Sequence, residues 1–231
     1  MNCFLDTNVK IGYVFCTDPW YDKSEHLFNM NHTFYISPSV RKEFNKKYNQ
    51  ILKNQKNFLY SLRNELNNKD PLKTLSLNDL KIKSITVGLK RDFDENLKRE
   101  IVEVLWKGCA SKHEYDSNLK VDVCTIKDLL TYIRKFLRGF EKQLIYRLNT
   151  FQREVIECEK RDNEYNDLNE KLLNAGIHYP DSEIILDAHN LSLKDHLILK
   201  FISADNKMIK NANTVIDVLN IDKFYYLKEI C

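Results

Sequence analysis

The chain has 231 residues, 43% of them apolar, with only five glycines and four prolines. That supports one large domain, or a domain carrying a substantial insertion, and excludes overall disorder and a turn-rich all-β fold. A net charge of +3 is too small to establish a nucleic-acid partner on its own.

Asn2–Leu5 reads as a short buried strand, followed at once by Asp6, Thr7 and Asn8. A short helix is expected through Val9–Phe15. A second follows the Asp18-Pro19 start signal and runs to about Met30. Thr33–Ser37, rich in aromatic and β-branched residues, reads as the second strand. Pro38 then opens a helix that carries Glu43. Its apolar positions Ile51, Phe58, Leu59, Leu62 and Leu66 keep helical spacing until Asn67–Pro71 breaks it.

The middle of the chain is helical in pattern. One stripe joins Phe93, Leu97, Ile101 and Val104/Leu105, predicting a helix from about Phe93 to Trp106. A longer one joins Ile126, Leu130, Ile133, Leu137, Phe140, Leu144, Leu148, Phe151 and Val155, predicting a long amphipathic helix from about Val121 past Val155. The tail returns to strand and helix. A helix opens at Tyr179-Pro180-Asp181 and runs to about Leu193, and Leu197–Ser203 is a strand ending before Asp205. A helix follows around Met208–Leu219, then a strand over Phe224–Leu227. The expected fold class is α/β with a mainly parallel central sheet. Its core comes from 1–44 and 176–231, and a helical insertion spans 45–175.

Asp6 follows the first strand, Glu43 lies on the helix after the second, and Asp205 follows the Leu197–Ser203 strand. These positions gather at the carboxyl edge of the sheet, where ligands collect in open α/β folds. Asp187, on the helix feeding that strand, joins them if its helix begins near the edge. Four neighbouring carboxylates resist joint ionisation. A divalent cation resolves that conflict, and Mg²⁺ or Mn²⁺ favours oxygen ligands and phosphate chemistry.

Phe4–Val9, Ile36–Phe44, Asp187–Leu191 and Phe201–Asp205 follow one another in the order of four acidic positions, the last two being 205 − 187 = 18 apart. In this the chain resembles the PIN-domain nucleases over roughly its first 45 and last 55 residues. The resemblance implies a PIN-like three-layer fold and a Mg²⁺- or Mn²⁺-dependent endoribonuclease. It implies Asp6, Glu43, Asp187 and Asp205 as catalytic metal ligands, with Asn8 and Ser203 supporting the site. The helical middle departs from the small toxin-type members, which leaves an antitoxin partner open. Asp181 is expected to support the site and is a rival for one acidic role, with Glu183 a weaker rival, although an acidic residue at a helix N-terminus is also explained by the helix dipole. Aspartate-nucleophile phosphatases place a second aspartate two residues after the first, where this chain has Asn8.

Other features are weaker. His189 and His196 lie near the acidic stretch, but His189 is turned roughly 200° around the helix from Asp187, and a metal nuclease needs no histidine base. Between Lys120 and Arg147 there are seven basic and three acidic residues, whereas 153–171 holds four basic and seven acidic. Arg134, Arg138 and Lys142, at steps of four, are candidates for RNA phosphates, or form an ordinary solvated face. Lys46 and Lys47 are better placed, just beyond Glu43. Trp20, Trp106, Tyr132 and Tyr146 could stack on bases but suit packing equally. Dimerisation through the insertion is expected if its own helices leave the long stripe uncovered.

Six cysteines, at 3, 16, 109, 124, 158 and 231, include no CxxC pair. Reduced, mostly buried thiols are expected, not a zinc site or a disulfide framework. The N-terminus shows no basic region and cleavable apolar run, and no apolar stretch approaches the ~20 residues of a membrane span. A cytoplasmic protein with no membrane partner is expected. The expected function is metal-dependent hydrolysis of RNA phosphodiester bonds. The alternatives are a catalytically weak RNA-binding or assembly module and a structure-selective DNA nuclease.

Overall fold

The computed structural model describes residues 1–89, 95–117 and 123–230. Phe93, Lys120, Val121 and Cys231 lie outside them. The chain forms an α/β unit of residues 1–16, 20–48 and 146–231, and a helical unit of 17–19 and 49–145.

In the α/β unit, β1 (Asn2–Leu5) leads into α1 (Thr7–Val14), then α2 (Tyr21–Phe28) and β2 (Thr33–Ile36). The long helix α3 (Pro38–Asn67) begins here; its residues beyond Tyr48 belong to the helical unit. The helical unit continues with β3 (Thr74–Ser76), α4 (Leu77–Leu89), α5 (Glu95–Ser117), β4 (Val123–Thr125) and α6 (Ile126–Glu154), whose last turns from Tyr146 return to the α/β unit. There follow β5 (Val155–Glu157), α7 (Asn166–Asn174), α8 (Asp181–Lys194), β6 (Leu199–Ser203) and α9 (Asn206–Asn213). A 3₁₀ turn at Ile216–Val218, β7 (Lys223–Tyr226) and α10 (Leu227–Ile230) complete the chain.

The five-stranded sheet has the order β5-β2-β1-β6-β7, and each neighbouring pair is parallel. Parallel strands need crossovers, here made by helices, and both faces of such a sheet are covered. The centres of the two middle strands are accordingly apolar: Cys3, Phe4, Leu5, Phe201 and Ile202 are fully buried. Phe4 and Phe201, neighbours in register, stack with centroids 5.7 Å apart. From β1 the chain turns to β2 on one side and later returns to β6 on the other. The carboxyl ends of β1 and β6 therefore flank the topological switch point, where such sheets leave a crevice.

The α/β unit reaches further into the middle of the chain than the expected boundaries of 45 and 175. The periodicity carries the long helix past Val155, but the helix ends at Glu154, and Val155–Glu157 pairs with Phe34–Ile36 as an edge strand. Helical spacing placed Val155 on the apolar stripe, and pairing with a distant strand overrode it. The strand before Asp205 begins at Leu199, and the tail helix stops at Asn213.

The helical unit has its own core. Phe58, Leu59, Leu62 and Leu66 of α3 join Ile101, Val102 and Leu105 of α5 and Ile126, Leu129, Leu130 and Ile133 of α6 in one cluster. Ile126, Leu130 and Ile133 of the α6 stripe are thus covered within this unit. The two-stranded antiparallel sheet of β3 and β4 has no counterpart in the sequence reading, because three-residue strands carry too short a pattern. Cys3, Cys16, Cys109, Cys124 and Cys158 form no disulfide among the described residues. Among the described residues, no helix is long and apolar enough to cross a membrane.

Candidate metal centre

Asp6 leaves the end of β1 and becomes the N-cap of α1. Its backbone N–H donates to the Ile202 carbonyl at 3.0 Å, extending the β1–β6 ladder by one bond. The side chain is held from three directions. Oδ1 accepts from the Thr7 N–H at 2.6 Å, and Oδ2 accepts from Ser203 Oγ at 2.6 Å and Asn8 Nδ2 at 3.3 Å. Asn8 and Ser203, expected as supports of the site, both donate to Asp6.

Glu43 lies on the second turn of α3. Thr7 Oγ1 donates to its Oε2 at 2.6 Å, and Lys47, one turn on, holds its Oε1 at 2.5 Å. Thr7 thus serves both acids, with its backbone on Asp6 and its hydroxyl on Glu43. Sequence reading passed over that role; the only signal was its place at the first helical residue after the strand. Asp205 caps α9, accepting from the Met208 N–H at 2.9 Å, and its own N–H donates to Ser203 Oγ at 2.9 Å. Ser203 is the shared strut between the acid after β1 and the acid after β6.

The remaining member is Asp181. One carboxylate oxygen from each of Asp6, Glu43 and Asp181 lies within 4.8 Å of the other two, the one such cluster among the described residues. The sequence put Asp187 in this place, with Asp181 in support; the oxygen that reaches Asp6 and Glu43 is Asp181's. α8 begins at Asp181, so its first turn meets the sheet edge. Asp187 is six residues on, roughly 9 Å down the axis and on another face. There it is buried, and its Oδ1 accepts from Arg161 Nη1 at 2.7 Å. The spacing of 18 to Asp205 is real but does not bring Asp187 to the cluster.

The electrostatics follow from crowding. Asp6 is almost fully buried, and loss of water pushes its carboxyl up to about 7. Asp181 and Glu43 add to that, while the bonds from Ser203 and Thr7 oppose it. Asp181 is pushed up to about 6, first by burial and then by Glu43 and Asp205, with Lys47 opposing. Asp205 is therefore electrostatically part of the group although it stands outside the triad.

The donors are all hard oxygens, which suits Mg²⁺ or Mn²⁺ and not a soft metal. Oxygens on one Mg²⁺, at about 2.0–2.1 Å from it, are no more than about 4.2 Å apart. The triad's oxygens, within 4.8 Å of one another, would draw together to reach that. Asp6, Glu43 and Asp181 thus fit a divalent cation.

The other candidates divide clearly. His189 Nδ1 accepts from the Asn220 N–H at 2.8 Å, and its ring packs edge-on to Tyr165, a structural arrangement. Arg147 is largely buried: it donates to the Tyr13 carbonyl at 2.5 Å and to Glu25 Oε1 at 3.0 Å. It is not part of a basic face. Arg134, Arg138 and Lys142 are exposed on α6, and Lys46 is exposed on α3. Trp106 is buried. No protein-family model, curated protein or solved structure matches the chain.

Proposed function

We propose that the protein is a PIN-like, Mg²⁺- or Mn²⁺-dependent endoribonuclease. The observation that carries this reading is the meeting of Asp6, Glu43 and Asp181 within 4.8 Å at the switch point of a parallel sheet, with Asp205 beside them. Such a group is costly without a cation, and its hard donors match an ion that works on phosphates.

Asp6, Glu43 and Asp181 would hold the ion, and Asp205 would add negative charge beside Asp181. When bound, the ion supplies a Lewis acid and a water of lowered pKa for attack on a phosphodiester. The chain's own residues prepare that site. Ser203 and Thr7 lock Asp6 so that one rotamer faces the cluster, and Thr7 and Lys47 fix the two oxygens of Glu43. Burial keeps bulk water from Asp6 and strengthens its interaction with a cation. Lys46, exposed on the same helix as Glu43, is available to a phosphate. Arg134, Arg138 and Lys142 form no ion pair among the described residues and offer three positive charges at helical spacing to a polyanion.

Asp6→Asn tests the reading. The variant keeps the shape and one of the two acceptor oxygens but removes a charge the ion needs. We expect cleavage of a single-stranded RNA with Mn²⁺ or Mg²⁺ to fall at least 100-fold, with unchanged circular dichroism and weaker Mn²⁺ binding by electron paramagnetic resonance. Full cleavage by the variant, or wild-type cleavage that survives EDTA, would refute it. A matched DNA strand cut as fast as the RNA would overturn the RNA preference alone, since only RNA offers the 2′-hydroxyl.

A further inference from the structure

We infer that Arg161 is a positioning residue for the carboxylate triad, setting where Asp181 stands by gripping the first two turns of α8. The inference rests on the metal-site reading above.

Arg161 belongs to the segment after β5, and its side chain is only 12% exposed. Its fork makes four bonds. Nη1 donates to the Glu183 carbonyl at 3.0 Å and to Asp187 Oδ1 at 2.7 Å. Nη2 donates to Glu183 Oε2 at 2.5 Å, and Nε donates to the Asn163 carbonyl at 3.2 Å. One guanidinium therefore holds the α8 backbone, two α8 side chains one turn apart, and its own strand-end loop. A planar, rigid fork transmits position in a way that a flexible ammonium does not.

Asp181 is two residues before Glu183. Its distance from Asp6 and Glu43 depends on the axial and rotational setting of α8, and a slip of one residue shifts the helix by about 1.5 Å and turns it by about 100°. Something must resist such a slip, because Asp181 faces two other carboxylates that repel it. Removing the guanidinium would add a second repulsion, between Glu183 and Asp187 on the same helix face. Asp187 Oδ2 is already buried without a hydrogen-bond partner, so Arg161 is the partner that makes burial of this carboxylate tolerable. Asp187 then serves the site through Arg161 and not as a ligand.

Arg161→Lys is the test. It retains the positive charge beside Asp187 but loses the fork. Mn²⁺ affinity is read by electron paramagnetic resonance, at a temperature where circular dichroism shows the variant folded, and a crystal structure of the variant is determined. We expect Mn²⁺ to bind at least tenfold more weakly, and the Asp181 oxygens to leave the 4.8 Å neighbourhood of Asp6 and Glu43. A merely structural role would lower the melting temperature without moving either readout. A folded variant with wild-type Mn²⁺ affinity and an unmoved Asp181 overturns the inference. Should Arg161→Lys not fold, Asp187→Asn, which removes only the charge beneath the fork, is read in the same two ways. If wild-type protein binds no Mn²⁺, the metal reading fails, and the position of Asp181 in the variant crystal decides the inference separately.

Discussion

Asp6 is the most confined carboxylate of the triad, and its confinement has a measurable consequence. An unfolded aspartate titrates near ~3.9, whereas burial pushes Asp6 up to about 7 and burial with its acidic neighbours pushes Asp181 up to about 6. Between those limits the folded protein binds more protons than the unfolded chain. Stability in the absence of metal therefore falls as pH rises from about 4 to about 7, then levels. We expect metal-free protein to melt at a lower temperature at pH 8 than at pH 5.5, and Asp6→Asn to narrow that gap. Saturating Mn²⁺ should raise the melting temperature more at pH 8, because at pH 5.5 it must displace protons. Differential scanning fluorimetry across this range checks all three; a wild type that gains stability on passing from pH 5.5 to 8 without metal would refute the argument. Asp6, Glu43 and Asp205 were legible as acids at a sheet edge because each follows a strand or lies in the early turns of the helix after one. Asp181 was legible only as a rival and supporting acid, since its place at a helix start explained it without any site.

At the scale of elements, two glycines on helices of the helical unit separate packing from propensity. A Cβ at Gly108 on α5 would stand 2.0 Å from the ring of Tyr132 on α6, whereas one at Gly139 on α6 would meet no atom within 4 Å. Gly108→Ala must displace a packed ring and should destabilise by about 1–3 kcal/mol. Gly139→Ala adds only helix propensity and should stabilise by about 0.5–1 kcal/mol. Urea denaturation of both variants decides this; equal effects of the same sign would contradict the packing of α5 on α6. The apolar stripe of α6 was plain in the sequence because a 3.6-residue period repeats over many turns. The end of that helix was not, because Val155 satisfies the period and yet pairs with Phe34 across the sheet. The strands β3 and β4 were invisible for the opposite reason: three residues carry no period.

For the whole molecule, charge is distributed more tellingly than its net value of +3 suggests. The triad concentrates negative charge at one sheet edge, while Arg134, Arg138 and Lys142 stand exposed and without ion pairs among the described residues. If these three bind phosphates, replacing all of them by glutamine in the Asp6→Asn background should reduce the slope of log affinity against log salt by about 2 for a single-stranded oligoribonucleotide, at about 0.7 per phosphate contact. An unchanged slope in a fluorescence-anisotropy titration would assign the stripe to ordinary solvation. The amino-acid sequence by itself determined the parallel α/β pattern, the helical middle, and acids after β1, on α3 and after β6. Each of these is written in local periodicity or in a residue's place at the end of an element. Only the tertiary structure decided that Asp181 and not Asp187 joins Asp6 and Glu43, that Val155–Glu157 extends the sheet, and that Arg161 anchors α8. Those outcomes depend on the register and axial setting of elements far apart in the chain, and free energy of that kind comes from pairing and packing between segments, which no local pattern encodes.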